Sequence, residues 1–107
     1  SLAYAGVDAK EVDDPKIIIE DGVCKSRDLK QLVGSVATMD VLVQNMVKAE
    51  VPLEDAIRMA TETPAKIMGV YDKKGSLEKG KDADILILDK KLRIRKAWSK
   101  GQMIEGI

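Results

Sequence analysis

The stretch Gly75–Asp89 constrains the fold of this chain more than any other part of the sequence. Gly75 and Gly80 interrupt a polar run that leads directly into four aliphatic residues, Ile85–Leu88. Glycine at these positions predicts tight turns in which the backbone has a positive φ. The aliphatic run is too short for a helix and has no polar alternation, so it predicts a strand buried on both faces. Such a strand needs other segments packed on either side of it.

The charge balance argues against nucleic-acid binding. The 107 residues, the length of a single domain, include 18 basic and 18 acidic residues that cancel. A nucleic-acid interface usually needs a clustered basic excess. The basic cluster Lys90–Lys96 is interrupted by Leu92 and Ile94 at strand spacing, which is typical of a solvated strand face. We therefore expect no nucleic-acid partner.

The sequence also indicates a cellular compartment. It has neither an apolar run of about 18 residues nor a signal peptide, so we expect no contact with a membrane. The single cysteine, Cys24, excludes an internal disulfide and fits the reducing cytoplasm. The chain begins with Ser1 rather than methionine, and we expect it to be a fragment of a longer gene product.

The chain contains no histidine, and this limits its chemistry. With one cysteine as well, it cannot assemble a typical zinc site, a Ser-His-Asp triad or a Cys-His pair. Asp82, Asp84 and Asp89 flank the predicted buried strand, where aspartate is typical of turns and strand ends. Cys24 is predicted to be half-buried in a strand, with no nearby base to activate it. The residues alone therefore predict neither a catalytic residue nor a metal ligand.

A hairpin and a first helix are predicted in the first half of the chain. Ile17–Ile19 and Val23–Lys25 flank Asp21–Gly22, which is a two-residue hairpin signal. Ser35 is the expected N-cap of the helix after the hairpin. The apolar stripe of this helix recurs at Val36, Met39, Leu42, Val43, Met46 and Val47.

Two further helices and a second set of strands are predicted. Pro52 is expected to begin the second helix, and Thr63 to cap a third helix that spans Pro64–Met68 and ends at Gly69. The expected buried face of the second helix consists of Leu53, Ala56, Ile57 and Ala60. After Ile85–Leu88, the alternation from Leu92 to Trp98 predicts a half-exposed strand. Lys100–Gly101 is a second hairpin signal, and the predicted fold class of the chain is α+β.

A resemblance to a known superfamily rests on three of these segments. Gly75–Asp89 has the pattern G-x-L-x-x-G-K-x-A-D followed by aliphatics and aspartate, and it resembles the tail of the amidohydrolase superfamily. Met59–Gly69 resembles the barrel-closing helices of those proteins, and Trp98–Gln102 their terminal strand. The resemblance implies the end of a (β/α)8 metal-dependent hydrolase barrel in residues 1–71. It also implies that residues 72–107 are returning strands of a small β-sandwich domain.

A narrower resemblance involves Leu32–Ser35, with Thr38 and Met39 behind it. This segment resembles L-A-G-S-x-x-T-M of the N-acetylglucosamine-6-phosphate deacetylase family, with Val33 in place of alanine. Residues 1–6 resemble the segment immediately after the catalytic aspartate of that family. The resemblance implies that this aspartate directly precedes Ser1 and that the metal-binding residues lie further upstream. We therefore expect a C-terminal fragment that is inactive by itself.

The resemblance implies an activity for the intact enzyme. It is the hydrolysis of the acetamide of N-acetylglucosamine 6-phosphate to glucosamine 6-phosphate and acetate, with a divalent metal, zinc or iron. The fragment is expected to bind no metal. Leu32, Val33 and Gly34 match the substrate-contacting loop of the family, although the residues themselves leave open that Gly34–Ser35 merely ends a strand and caps a helix. The expected partners are an amino-sugar phosphate and further copies of the chain.

Two alternatives remain. The chain could be the tail of another amidohydrolase, such as a dihydroorotase-like enzyme or a deaminase, but Leu32–Ser35 argues against this. It could also be a non-catalytic α+β binding module without a catalytic parent. If the chain is a fragment, its apolar stripe Val36–Val47 lacks the barrel on which it would pack, and we expect that surface to be exposed or to mediate self-association.

Overall fold

The computed structural model describes residues 16–20, 23–28 and 32–106. These residues form six strands and three helices, so the predicted α+β class is confirmed. The chain divides into two compact units, residues 1–38 and residues 39–107. This division does not test the predicted boundary between barrel and sandwich segments at residues 71 and 72, which stays a prediction. Among the helices that the structure describes, none is long and apolar enough to cross a bilayer.

The first unit contains a three-stranded antiparallel sheet. Its strands are β1 (Ile17–Glu20), β2 (Val23–Ser26) and β3 (Leu32–Gly34), in the order β1-β2-β3. The pairing of β1 with β2 confirms the predicted hairpin, whose turn residues 21 and 22 lie outside the described part of the chain.

Cys24 is more deeply buried than predicted. Its exposure is only 1%, so the expectation of a half-buried side chain is wrong. The reason is its place in the sheet: Cys24 lies in the central strand, between Ile19 on β1 and Gly34 on β3. Alternation within one strand does not reveal whether that strand has a neighbour on both sides.

In the second unit, the helices are α1 (Met39–Lys48), α2 (Leu53–Ala60) and α3 (Glu62–Ile67). The expected N-cap at Ser35 is wrong, because α1 begins only at Met39. The hydroxyl of Ser35 instead accepts a hydrogen bond from the backbone N–H of Ala37 at 3.0 Å. Serine readily forms such local turns, which compete with its role as a helix cap.

The third helix, in contrast to the first, begins earlier than predicted. It starts at Glu62, so Thr63 lies inside the helix rather than at its N-cap. Pro64 is tolerated because the N–H groups of the first helical turn have no partner within the helix. The expected end at Gly69 is confirmed by its φ of 71° and by its N–H, which donates to the carbonyl of Lys66.

Each helix of the second unit buries only one small or medium side chain. The buried residues are Val43, Ala56 and Ala65. Much of the predicted stripe of α1 is exposed, including Met39 at 59% as well as Leu42 and Met46. The exposure expected for this stripe in a fragment is therefore confirmed at these positions.

The second sheet contains the aliphatic run of the Gly75–Asp89 stretch. Its strands are β4 (Ile85–Leu88), β5 (Ile94–Ser99) and β6 (Gln102–Met103), antiparallel in the order β4-β5-β6. The strand at Ile85–Leu88 is confirmed, but its burial on both faces is wrong, because Leu86 is 55% and Ile87 47% exposed. Among the described residues β4 is an edge strand of a small sheet, and no second layer covers these side chains.

The glycine turns of the second unit have the predicted geometry. Gly75 and Gly80 have φ values of 94° and 93°. Lys100 and Gly101 also have positive φ and connect Ser99 to its partner Gln102, which is the pattern of a type I′ hairpin turn. These turns fix where the chain enters β4 and where it leaves β5.

The strand predicted from Leu92 begins two residues later than expected. Leu92 has a φ of 62° and belongs to the turn before β5. The register between β4 and β5 also shifts, since Ile87 pairs with Lys96 while Leu88 pairs with Ile94. Arg95 is the additional residue at this bulge.

Candidate functional site

The residues matched to a substrate-contacting loop form strand β3. In β3, Leu32 lies opposite Lys25 and Gly34 opposite Cys24, with an irregularity in β2 between those two partners. Leu32 is 73% exposed, whereas Gly34 is half-buried. The side chain of Val33 lies outside the part of the chain that the structure describes. The local sequence thus places a short strand with an exposed leucine directly beside Cys24, whose side chain is buried.

The position of β3 determines what it can bind. Among the described strands, β3 has a neighbour on one side only, so it is an edge strand of its sheet. The backbone N–H and C=O groups on the open edge of a strand can hydrogen-bond to a ligand. Glycine at position 34 places no Cβ in the way of such a ligand. This segment can therefore position a polar molecule, but it supplies no acid, base or nucleophile.

Asp82 and Asp84 occupy a polar cluster at the entrance to β4. The ammonium of Lys74 lies 2.6 Å from a carboxylate oxygen of Asp84 and 3.1 Å from one of Asp82. The other oxygen of Asp84 accepts the backbone N–H of Lys100 at 2.9 Å. The hydrogen bond from Lys74, followed by that from Lys100, lowers the pKa of Asp84 below its ordinary value. Reciprocally, the bond to Asp84 raises the pKa of Lys74.

Asp89 stabilises the turn after β4. Its carboxylate accepts the backbone N–H groups of Lys91 and Arg93 at 2.9 and 3.0 Å, and also the Nε–H of Arg93 at 2.9 Å. The backbone hydrogen bond from Arg93 is the largest cause of the lowered pKa of Asp89. All three aspartates are thus turn and strand-end residues, as predicted.

The described residues do not bring metal-ligating side chains together. Across residues 16–20, 23–28 and 32–106, no group of three or more His, Cys, Asp or Glu side chains could hold a metal ion. Asp82 and Asp84 share a lysine, and Asp89 lies at the opposite end of the same strand.

An apolar groove runs beside β4 in the second unit. It encloses about 680 Å³ and is lined mainly by aliphatic side chains of α2, α3 and the second sheet, with Leu86 and Trp98 among them. Lys74, Asp82 and Asp84 supply its few charged groups, and the one lysine forms an ion pair with each aspartate. An exposed apolar surface of this kind is suited to packing against a further part of a protein.

Lys74 links the two aspartates before β4, and its sequence position does not predict this role. It belongs to the lysine pair 73–74 before Gly75, eight residues from Asp82 and ten from Asp84. No helical or strand spacing connects these positions, because the intervening chain folds back through turns. The only sequence signal for this contact is that lysines precede Gly75 and Gly80 while the two aspartates follow them.

The chain belongs to the amidohydrolase family, whose model matches residues 6–105. This is a metal-dependent family. The match covers both units and most of the sequence, including the Gly75–Asp89 stretch.

Individual relatives are named as deacetylases of amino-sugar phosphates. The chain is 39% identical over 74 residues to N-acetylglucosamine-6-phosphate deacetylase of Danio rerio, an alignment that covers 68% of this chain and 18% of that protein. The chain is 36% identical over 76 residues to the Homo sapiens enzyme of the same name, an alignment that covers 70% of this chain and 19% of that protein. N-acetylgalactosamine-6-phosphate deacetylase of Escherichia coli O157:H7 is 40% identical over 73 residues, which cover 67% of this chain and 19% of that protein. The chain therefore spans less than a fifth of these relatives.

Solved structures show the same relationship. N-acetylglucosamine-6-phosphate deacetylase from Pasteurella multocida aligns with a TM-score of 0.77 and 30% identity, covering 82% of this chain and 23% of that one. The Mycobacterium smegmatis enzyme, solved as a mutant in complex with N-acetyl-D-glucosamine-6-phosphate, aligns with a TM-score of 0.69 and 27% identity. That alignment covers 81% of this chain and 24% of that one. The resemblance to N-acetylglucosamine-6-phosphate deacetylases is confirmed.

Proposed function

We propose that this chain is the C-terminal part of an enzyme that hydrolyses N-acetylglucosamine 6-phosphate to glucosamine 6-phosphate and acetate. The supporting observation is the combination of family membership with relatives of that name at 36–39% identity. Because the chain spans only 18–19% of those relatives, the activity belongs to the longer protein.

The proposed architecture is the end of a (β/α)8 barrel in residues 1–71 and strands of a small β-sandwich in residues 72–107. Exposed apolar surface supports this proposal. Met39 and Leu42 on α1, and Leu86 and Ile87 on β4, are more exposed than aliphatic side chains of such elements usually are. A larger barrel and sandwich would cover both surfaces.

The proposed role of Leu32, Val33 and Gly34 is to contact the substrate. Their strand has an open edge whose backbone groups can hydrogen-bond to a sugar, and Leu32 presents an exposed apolar side chain beside it. In the whole enzyme, a divalent metal, zinc or iron, supplies polarisation of the acetamide carbonyl or activation of water. The described residues do not form a set that could hold this metal, so its ligands are assigned to other parts of the longer protein. The acid that protonates the leaving amine is assigned there as well.

Acetate release tests whether the activity requires the longer protein rather than this chain alone. The longer protein, supplied with zinc or iron, is expected to release acetate from N-acetylglucosamine 6-phosphate. The 107-residue chain alone is expected to release none under the same conditions. Turnover by the chain alone would overturn the proposal, as would a longer protein that is folded and metal-loaded but inactive.

Two exposed leucines provide a matched test of the substrate contact. Leu32 is 73% and Leu77 71% exposed, so the two side chains are exposed to the same extent in this chain. In the longer protein, Leu32→Ala is expected to raise the KM for the sugar phosphate about five- to tenfold with little change in kcat, since it removes binding without removing a reacting group. Leu77→Ala is the control and should leave KM unchanged. Equal KM values for both variants would contradict the assignment.

A second candidate substrate is N-acetylgalactosamine 6-phosphate. The 40% identity to the Escherichia coli deacetylase for that sugar is as high as the identity to the glucosamine enzymes. The two substrates differ only in the configuration at C4 of the sugar. Comparing kcat/KM for both sugars with the longer protein would decide between them, and the larger value identifies the substrate. The homo-oligomeric assembly, the absence of nucleic-acid and membrane partners and the cytoplasmic location all stay predictions.

A further inference from the structure

A second pocket, of about 440 Å³, lies between the end of α1 and the turn that joins β4 to β5. Its lining includes four cationic side chains, Lys48, Lys90, Lys91 and Arg93. The remaining lining residues are neutral, so among the described residues no carboxylate lines the pocket. Lys48 lies 42 positions before Lys90 in the sequence, and only the fold brings it to the same pocket.

The turn beneath this pocket is fixed by hydrogen bonds. The side-chain amide of Gln44 on α1 donates to the carbonyl of Leu92 at 3.2 Å. The N–H of Leu92 donates to the carbonyl of Asp89, whose carboxylate also accepts the N–H groups of Lys91 and Arg93. The backbone that carries three of the four cations is therefore held in one conformation and joined to α1. A turn whose backbone is already ordered loses little further backbone entropy when its side chains bind a ligand.

The charges of the pocket are largely uncompensated. Within the described ranges, no ion pair or side-chain hydrogen bond involves the ammonium of Lys48, Lys90 or Lys91. Lys48 is partly compensated by the negative end of α1, whereas Lys90 and Lys91 are not. Arg93 uses its Nε–H for Asp89. Like charges that line one pocket repel one another, and a bound anion would relieve the repulsion.

We propose that this pocket binds a small phosphate-bearing anion, held by Lys48, Lys90 and Lys91. Ammonium groups are suited to phosphate oxygens because they combine a full charge with three hydrogen-bond donors. The volume admits a phosphate ester or a pyrophosphate, and every charged side chain of the lining is cationic. None of these residues belongs to Leu32–Gly34, so the inference goes beyond the proposed function and does not depend on it.

Titration of the longer protein with inorganic pyrophosphate at constant ionic strength tests this site. Calorimetry is expected to show saturable binding to the wild type. Lys48→Gln, Lys90→Gln and Lys91→Gln should each raise the Kd about three- to fivefold, as expected for charge pairs near the surface. Lys91→Arg should retain binding because the charge is kept.

Lys79 provides the matched control. It is exposed and, in the part of the chain that the structure describes, it too has no acidic partner, but it does not line the pocket. Lys79→Gln should therefore leave the Kd within about twofold of the wild-type value. A rise in Kd for Lys79→Gln as large as that for the pocket variants would show that pyrophosphate is attracted nonspecifically to net charge, and would overturn the proposal. Absence of saturable binding, or full binding by the triple Lys→Gln variant, would overturn it as well. Circular dichroism of each variant verifies that the fold is retained, and acetate release, measured in parallel, reports on the proposed function separately.

Discussion

The two sheets of this chain share a topology but differ in what stabilises them. Each is a three-stranded antiparallel sheet in sequence order, with one register irregularity and one buried residue in its central strand, Cys24 in β2 and Ala97 in β5. In the second sheet, aspartate side chains fix both ends of β4 through Lys74, Lys100 and Arg93. In the first sheet, the matched substrate segment is an edge strand beside Cys24, and its Leu32 is exposed.

This difference shows that acidic residues and function can lie in different parts of a chain. The aspartates that most resemble metal ligands stabilise turns around β4, whereas the segment matched to the substrate loop has no charged side chain at all. Its contribution is an open backbone edge and an exposed leucine.

Replacing the buried residue of the first sheet is expected to have the largest effect. Cys24→Asp places a carboxylate at a position that is 1% exposed, and should destabilise the first unit by about 3 kcal/mol or more. Cys24→Ala removes side-chain volume without burying a charge, and should lower the free energy of unfolding by about 1 kcal/mol. Hydrogen exchange of the β2 and β3 amides measures both effects. Similar protection in both variants would show that the first sheet does not depend on a closed interior at Cys24.

The corresponding test for the second unit is Gly75→Ala. A Cβ at Gly75 would lie 2.7 Å from the Cβ of Ala65, and its φ of 94° is unfavourable for alanine. Together these effects should cost about 2–4 kcal/mol. Gly80 has nearly the same φ as Gly75, but no atom lies within 4 Å of the Cβ that Gly80→Ala would add. For Gly80→Ala, only the backbone cost of about 1–2 kcal/mol is therefore expected. Urea unfolding followed by Trp98 fluorescence compares the two variants, and equal costs would exclude the steric contribution.

The polar cluster of the second sheet predicts a dependence of stability on pH. Because Asp84 has a lowered pKa in the folded protein, its contribution is complete above the ordinary value of 3.8 and is lost as the pH falls through the lowered value. Asp84→Asn should therefore lower the midpoint of thermal unfolding at neutral pH, and the difference from wild type should shrink progressively as the pH falls below 3.8. Asp72→Asn, which changes an exposed aspartate without an ion-pair partner in the described residues, is the control. A difference that persists in acid would point to packing rather than charge.

The smallest effect is expected at the exposed face of β4. In the 107-residue chain, Leu86→Thr should change the free energy of unfolding by no more than about 0.5 kcal/mol, because Leu86 is 55% exposed. In the longer protein, the proposed sandwich would cover this side chain, and the same change should cost about 1.5–3 kcal/mol. Equal small costs in both proteins would contradict the proposed covering of β4.

The sequence was sufficient to predict the elements whose signals are local. The hairpin on both sides of residues 21–22, the turn at Lys100–Gly101 and the αL end of α3 at Gly69 all depend on residues within a few positions of one another. The strand at Ile85–Leu88 was predicted for the same reason. Their confirmation follows from short-range backbone preferences that the surrounding structure does not oppose.

Burial and non-local contacts were harder to predict. Cys24 is buried because of strands on both sides of it, and Leu86 is exposed because the described chain lacks a covering layer. Ser35 forms a local turn rather than a helix cap, a competition that the residue type leaves undecided. Lys48 and Lys90 line one pocket only because α1 and the β4–β5 turn meet, which no spacing in the sequence encodes. The substrate assignment of Leu32–Gly34 came from resemblance and stays a proposal.

The contact between Ala65 and Gly75 has an evolutionary consequence. Any side chain at position 75 would overlap the methyl group at position 65, with the ring of Tyr71 and the carbonyl of Thr61 also close by. A larger residue at either position therefore requires the other to remain small. Among related sequences, position 75 should therefore stay glycine, which its positive φ also favours, and position 65 should stay small.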